Sequence, residues 1–141
     1  EDQLMRLQKI QNSAARIITK IPAREHITPQ LIHLHWLPVK ARIEFKILTL
    51  TYKCLSNSAP DYLQDLLVEK APVTYDLVSR QVISLKPPDA GTKTSKDRAF
   101  SNAAPILWNN LHKDIRNLPT LDPFKPSLKR HLFKVYYKSQ L

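Results

Sequence analysis

The sequence predicts a mainly α fold on three observations. Apolar residues recur at three- and four-residue spacings over most of the chain. Eleven prolines fall largely between those stretches and mark their boundaries. And 43% of the 141 residues are hydrophobic, enough to build a core rather than a disordered tail.

The elements follow in order. Residues 2–21 read as an amphipathic helix, with Leu4, Leu7, Ala14, Ile18 and Ile21 in a packing stripe that Ile10 and Ile17 widen. Arg6, Lys9, Arg16 and Lys20 project from its other side within a sector of roughly 80° at 100° per residue. That side either follows a phosphate backbone or is an ordinary solvated face. Thr28 is expected to cap a short helix with Pro29 at its first position, running to about His35. Trp36-Leu37-Pro38 then turns the chain into a third helix over about 38–56. One face of that helix carries Val39, Ile43, Ile47, Leu50 and Cys54, and another Phe45, Leu48 and Tyr52. Two apolar faces imply the most buried helix of a bundle, with Arg42, Lys46 and Lys53 in the narrow strip between them. Residues 56–60 end it, and Asp61 to Val68 form a further helix with Tyr62, Leu63, Leu66 and Leu67 facing inward. These elements make residues 1–70 a first, bundle-like domain.

Residues 71–97 change character. Val82 to Leu85 reads as a short strand, followed by the turn-rich Lys86 to Gly91 and the polar Thr92 to Lys96. This basic linker or hairpin, with Arg80, Lys86, Lys93, Lys96 and Arg98, is either a phosphate-contacting arm or a disordered connection. Residues 98–141 are helical again. Phe100, Ala104, Leu107, Trp108 and Leu111 share an apolar side, and Pro105 is expected to break or kink their helix. After a turn at 117–120, Asp122 and Pro123 read as the N-cap and first residue of a final helix to about Lys138. Its stripe is Phe124, Leu128, Leu132 and Val135; Lys125, Lys129, Arg130, Lys134 and Lys138 crowd the other side. Pro126 removes one helical hydrogen bond or shifts the helix start, which bears on the register of Lys129 and Arg130.

Charge narrows the function. Twenty-two Lys and Arg against twelve Asp and Glu give +10 and a pI near 9.9. Such an excess favours a polyanionic partner and salt-sensitive binding, and its spread along the chain favours nucleic acid over a membrane surface. A single cysteine, Cys54, rules out an intrachain disulfide and any multi-cysteine zinc site, as expected of an intracellular protein. No long apolar run or basic-then-apolar leader is visible, and Glu1 in place of an initiator Met suggests a piece of a longer polypeptide. One glycine, Gly91, cannot write a P-loop or a dinucleotide fingerprint.

Catalytic readings find little support. Two-metal phosphoryl transfer needs carboxylates clustered around cations about 4 Å apart, and no two Asp are adjacent. His33 and His35, two apart on a helix, point in different directions, so no metal or other cofactor is expected. Cys54, on an apolar face, reads as a small buried hydrophobe rather than a nucleophile. Trp36 and Trp108, among Leu and Pro, read as core. Tyr136 and Tyr137, beside Lys134 and Lys138, are either base-stacking residues or simply a helix end.

Several phrases also carry a resemblance. They are Leu-Gln-Lys-Ile-Gln-Asn-Ser-Ala-Ala-Arg at 7–16, Leu-His-Trp-Leu-Pro-Val at 34–39, and Asp-Arg-Ala-Phe-Ser-Asn-Ala-Ala-Pro-Ile-Leu-Trp-Asn at 97–109. Arg42-Ile43-x-Phe45-Lys46, Ala59-Pro60-x-Tyr62-Leu63 and Phe124-Lys125-x-x-Leu128-Lys129-x-His131-Leu132-Phe133 stand in register with them. Over nearly its whole length the chain resembles the C-terminal stretch, downstream of the reverse transcriptase palm, of LINE-type (non-LTR) retrotransposon polymerases, jockey-like elements above all. The resemblance implies a thumb-like helical bundle plus a C-terminal extension, which the residue pattern divides into a short strand or loop segment and two further helices. It implies a nucleic-acid-handling piece of an RNA-directed DNA polymerase without the paired Asp of the palm, hence not itself an enzyme. Its partners would be RNA, DNA or an RNA–DNA hybrid and the rest of the polymerase chain, with no membrane and no small-molecule substrate, in the nucleus or cytoplasm. Amphipathicity then nominates Arg6, Lys9, Arg16, Lys20, Arg42, Lys46 and Lys53 in the bundle as phosphate contacts, and Lys93, Lys96, Arg98, Lys129 and Arg130 in the extension. The alternative is a retrotransposon remnant acting as a structural or protein-interaction module. The chain departs from the family's phrases at Lys96, His112 and Pro126.

Overall fold

The computed structural model describes residues 2–70, 83–87 and 99–138. Among them are seven helices and no strand: α1 (Asp2–Thr19), α2 (Thr28–His33), α3 (Val39–Leu55), α4 (Asp61–Gln64), α5 (Phe100–Asn110), α6 (Lys113–Arg116) and α7 (Leu121–Tyr137). The mainly α class is therefore that of the protein. The chain divides into two compact units, Glu1–Phe45 with Lys129–Leu141, and Lys46–Leu128. These bounds differ from the divisions at 70 and 97 expected from composition, because the end of α7 packs with the N-terminal helices.

In the first unit, Ala15, Leu31 and Tyr137 form a buried cluster, with Ile27, Ile32, Leu34, Trp36 and Phe133 packed against it. The face that α1 buries is not the expected one. Gln11 and Ala15 are buried, whereas Leu4, Leu7, Ile10, Ile17 and Ile18 are exposed. Hydrogen bonding explains the orientation. Gln8 Oε1 accepts from the Val39 N–H at 2.8 Å, and Gln11 Nε2 donates to the Leu37 carbonyl at 2.8 Å. The first N–H groups of α3 have no partner within their own helix, so an amide from α1 supplies one. Gln8→Ala is expected to cost about 1 kcal/mol, as for loss of a helix cap; an unchanged urea midpoint would show that water serves Val39 equally well.

Helix ends follow local geometry more than cap residues. Thr28 is the first residue of α2, not its cap: Ile27 precedes it with helical dihedrals and no side-chain cap. His35 and Asn57 then stop α2 and α3 with φ of 54° and 53°. At each stop two backbone N–H groups turn back on the helix: Trp36 to Leu31 and His35 to Ile32, Ser58 to Lys53 and Asn57 to Cys54. This is the paired closure that usually recruits glycine.

The second unit is built on α3, α5 and the start of α7. Leu48, Thr49, Thr51, Tyr52 and Cys54 are buried within two turns of α3, as its two apolar faces require. Trp108, Phe124, Leu85 and Leu128 fill the centre. Tyr52 stacks on Phe124 at 4.3 Å between ring centroids, Trp108 lies tilted to Phe124 at 6.2 Å, and the Tyr52 hydroxyl donates to the Leu118 carbonyl at 2.9 Å.

The helix from Asp61 lasts one turn, and Tyr62 and Leu66 are exposed rather than inward; the chain leaves it to bring Glu69 against Leu85 in an isolated antiparallel bridge. That bridge replaces the short strand, and Val82 lies outside the described residues. The Asn109 amide completes it, accepting from the Leu85 N–H at 3.0 Å and donating to the Leu85 carbonyl at 2.7 Å, as a neighbouring strand would. Pro105 does not break α5, which runs through it with the ring fully buried; one missing hydrogen bond is offset by packing. Finally, α7 begins at Leu121, so Asp122 lies in the first turn rather than at the cap. Pro123 there lacks only an N–H that no helix would have used. Pro126 is accommodated inside α7, which buries Phe124, Leu128 and Leu132 and then Tyr137, while Val135 is exposed.

Candidate nucleic-acid interface

The candidate interface is a set of basic helix faces. On α1, Arg6 and Lys9 are exposed, and Lys20, just past the helix end with φ of 54°, is exposed about three turns further on. On α3, Arg42 and Lys46 are exposed and Lys53 is half-buried. On α7, Lys129 and Arg130 are exposed. Arg130, Lys134 and Lys138, all exposed, recur every four residues and occupy a sector of roughly 80°. Among the described residues, none of Arg6, Lys9, Lys20, Arg42, Lys46 and Arg130 has a carboxylate partner. A cation without an internal partner keeps its charge available to a phosphate.

Arg16 is different. Its guanidinium Nη1 donates to the carbonyls of Pro22 and Glu25, each at 3.0 Å, and ties the loop after α1 to the helix. It is a brace for that loop rather than a free phosphate contact. Arg16→Ala is expected to lower stability by about 1 kcal/mol while leaving the salt dependence of any nucleic-acid binding unchanged. A reduced salt slope in that variant would return Arg16 to the interface. Lys93, Lys96 and Arg98 lie outside the described residues, as does Arg80.

The C-terminal tyrosines are not stacking platforms. Tyr137 is buried and its hydroxyl donates to the Trp36 carbonyl at 2.7 Å; burial pushes its pKa up to about 12. Tyr136 is half-buried and donates to the Glu44 carboxylate at 2.7 Å. Burial, then the hydrogen bond and charge of Glu44, raise its pKa far above the ordinary phenol value. Lys129 sits with its ammonium 5.9 Å from the Phe133 ring centroid, which steadies its stem without neutralising it.

Trp108 is core, as expected, and Trp36 packs against the buried cluster of the first unit. Cys54 is buried, and burial pushes its thiol pKa up, away from nucleophilic use. His33 and His35 are exposed, and no group of three His, Cys, Asp or Glu among the described residues is arranged to hold a metal. Among the same residues, no helix is long and apolar enough to cross a membrane. His112, one of the departures from the family phrases, has a local role: its Nδ1 accepts weakly from the Asp114 N–H at 3.4 Å and caps α6.

One cation was invisible to amphipathicity. Arg116 is half-buried, donates from Nη1 to the Ile83 carbonyl at 3.4 Å, and has a buried Nε without a partner among the described residues. Burial lowers its pKa. It stands on a one-turn helix too short to show a period, so no sequence signal marks it. Comparison of the chain with protein families, with curated proteins and with solved structures finds no match.

Proposed function

We propose that this chain is a non-catalytic nucleic-acid-binding module that grips the backbone of a duplex or hybrid through basic helix faces. The observation that carries this reading is the α1 edge. Arg6, Lys9 and Lys20 stand exposed within one sector of roughly 60°, with no carboxylate partner among the described residues. Backbone phosphates are spaced repeats of negative charge, and cations on one side of α1, a pair about one turn apart and a third just past the helix end, can meet them without reading sequence. The phrase-level resemblance to the post-palm region of LINE-type polymerases supports the same reading. On that reading the template-primer or element RNA is the ligand, the rest of a polymerase chain is a partner, and the chain itself does no chemistry.

Binding to a labelled RNA–DNA hybrid, duplex DNA and single-stranded RNA across a salt series tests it. Affinity is expected to fall steeply with salt. For duplex DNA, Arg6→Ala/Lys9→Ala/Lys20→Ala should lower the slope of log affinity against log salt by about 2.7, at about 0.9 for each of three phosphates released. Absence of binding at low salt would overturn the proposal.

A further inference from the structure

We infer that the exposed apolar strip of α1 is a docking site for an acidic amphipathic helix of a protein partner. Leu7, Ile10, Ala14 and Ile17 recur at three, four and three residues, the spacing of a coiled-coil seam. With Ile18 they fill a sector of roughly 100° over about 17 Å of helix. Leu7 is 50% exposed, Ile10 65%, Ile17 77% and Ile18 55%. The strip is not the face that α1 turns to its own unit, because Gln11 and Ala15 take that place. Four large aliphatic side chains in one row, left in water beside a face that buries glutamine, are the pattern of a surface made for another helix.

Charge selects the occupant. The strip borders the unit's own body on one side, through Gln11, and the cationic edge of Arg6 and Lys20 on the other. Residues 3–24 contain no Asp or Glu. A partner helix with leucine-like residues on its seam and carboxylates on its flank would therefore bury the strip and meet opposite charge. A second copy of this chain fits poorly. Antiparallel pairing along the same seam would set Arg6 and Lys20 against their own counterparts, a like-charge contact. A phosphate backbone gains nothing from aliphatic side chains, so this site is separate from the basic face next to it.

The test uses the full chain and a fluorescein-labelled 21-residue peptide with Leu at seam positions, Glu on both flanks and Ala elsewhere. A scrambled peptide of the same composition is the control. The expected result is saturable binding of the patterned peptide at physiological salt, with the scrambled one at least tenfold weaker. Ile10→Ser/Ile17→Ser should weaken the patterned peptide at least tenfold. Both positions are exposed, so the thermal melt should hold, and since no charge changes, nucleic-acid binding should hold as well. Arg6→Glu/Lys20→Glu should weaken the patterned peptide too. Equal binding of both peptides, no binding of either, or indifference to Ile10→Ser/Ile17→Ser would each overturn the inference. So would a dimer seen by sedimentation that Ile10→Ser/Ile17→Ser dissolves, since the occupant would then be a second copy.

Discussion

Trp108→Ala is expected to cost about 3–5 kcal/mol, the range for removing a buried aromatic ring from a packed core. Trp108 is 2% exposed, lies against Phe124, and donates its indole N–H to the Ile83 carbonyl at 2.9 Å. Removing the ring leaves a cavity beside Phe124 and frees the short segment whose one buried residue, Leu85, is completely enclosed in the second unit. Trp108→Phe should cost less, since it keeps most of the volume and loses the hydrogen bond, about 1 kcal/mol of the total. Urea unfolding followed by far-ultraviolet dichroism measures both. A loss below about 1 kcal/mol for Trp108→Ala would mean that the site collapses around the missing ring.

The second large effect belongs to Tyr137 in the first unit. Tyr137→Ala should also cost about 3–5 kcal/mol, because the ring packs with Ala15 and Leu31, stands 5.3 Å from Phe133, and bonds the Trp36 carbonyl. It adds a dependence on pH. The folded-state pKa is near 12, whereas an unfolded tyrosine titrates near 10. The native state thus holds its proton longer, and the contribution of Tyr137 is intact below about pH 10 and lost as the pH rises toward 12. Tyr136, raised further by burial and by Glu44, acts in the same direction. Stability should therefore fall through the alkaline range, and Tyr137→Phe should flatten part of that fall while costing about 1 kcal/mol at neutral pH. An alkaline limb identical in wild type and Tyr137→Phe would count against this assignment.

Much of the fold was legible because the helical period of apolar residues survives almost everywhere. The long helices α1, α3, α5 and α7 all stand within a few residues of their expected bounds. What the period does not reveal is which side of a helix is buried when hydrogen bonding competes with hydropathy. On α1, apolar content favoured the row of Leu and Ile, yet Gln8 and Gln11 decided the orientation by satisfying Val39 and Leu37 across 31 and 26 residues of sequence. No local pattern announces a bond of that span. The same limit governs the basic residues. Arg6 and Lys9 keep the exposure that their spacing suggested, but Arg16, one strip-mate among four, turns to the carbonyls of the loop after its helix. Tyr136 and Tyr137 looked open because lysines flank them, and only the end of α7 meeting Glu44 and Trp36 encloses them. Pro105 misled in the other direction, since it sits inside a helix whose packing outweighs a single lost bond.

The left-handed stops at His35 and Asn57, with the matching dihedral at Lys20, bear on the chain before it folds. Each places a side chain where backbone sterics prefer none, at a local strain of about 1 kcal/mol. In exchange, the unfolded polypeptide has fewer conformations to surrender at those joints than a glycine-jointed one would. With a single glycine and eleven prolines in 141 residues, the denatured ensemble has fewer conformations open to it than a glycine-rich chain of that length, and a smaller entropic handicap is one way for a chain with a modest core to stay folded.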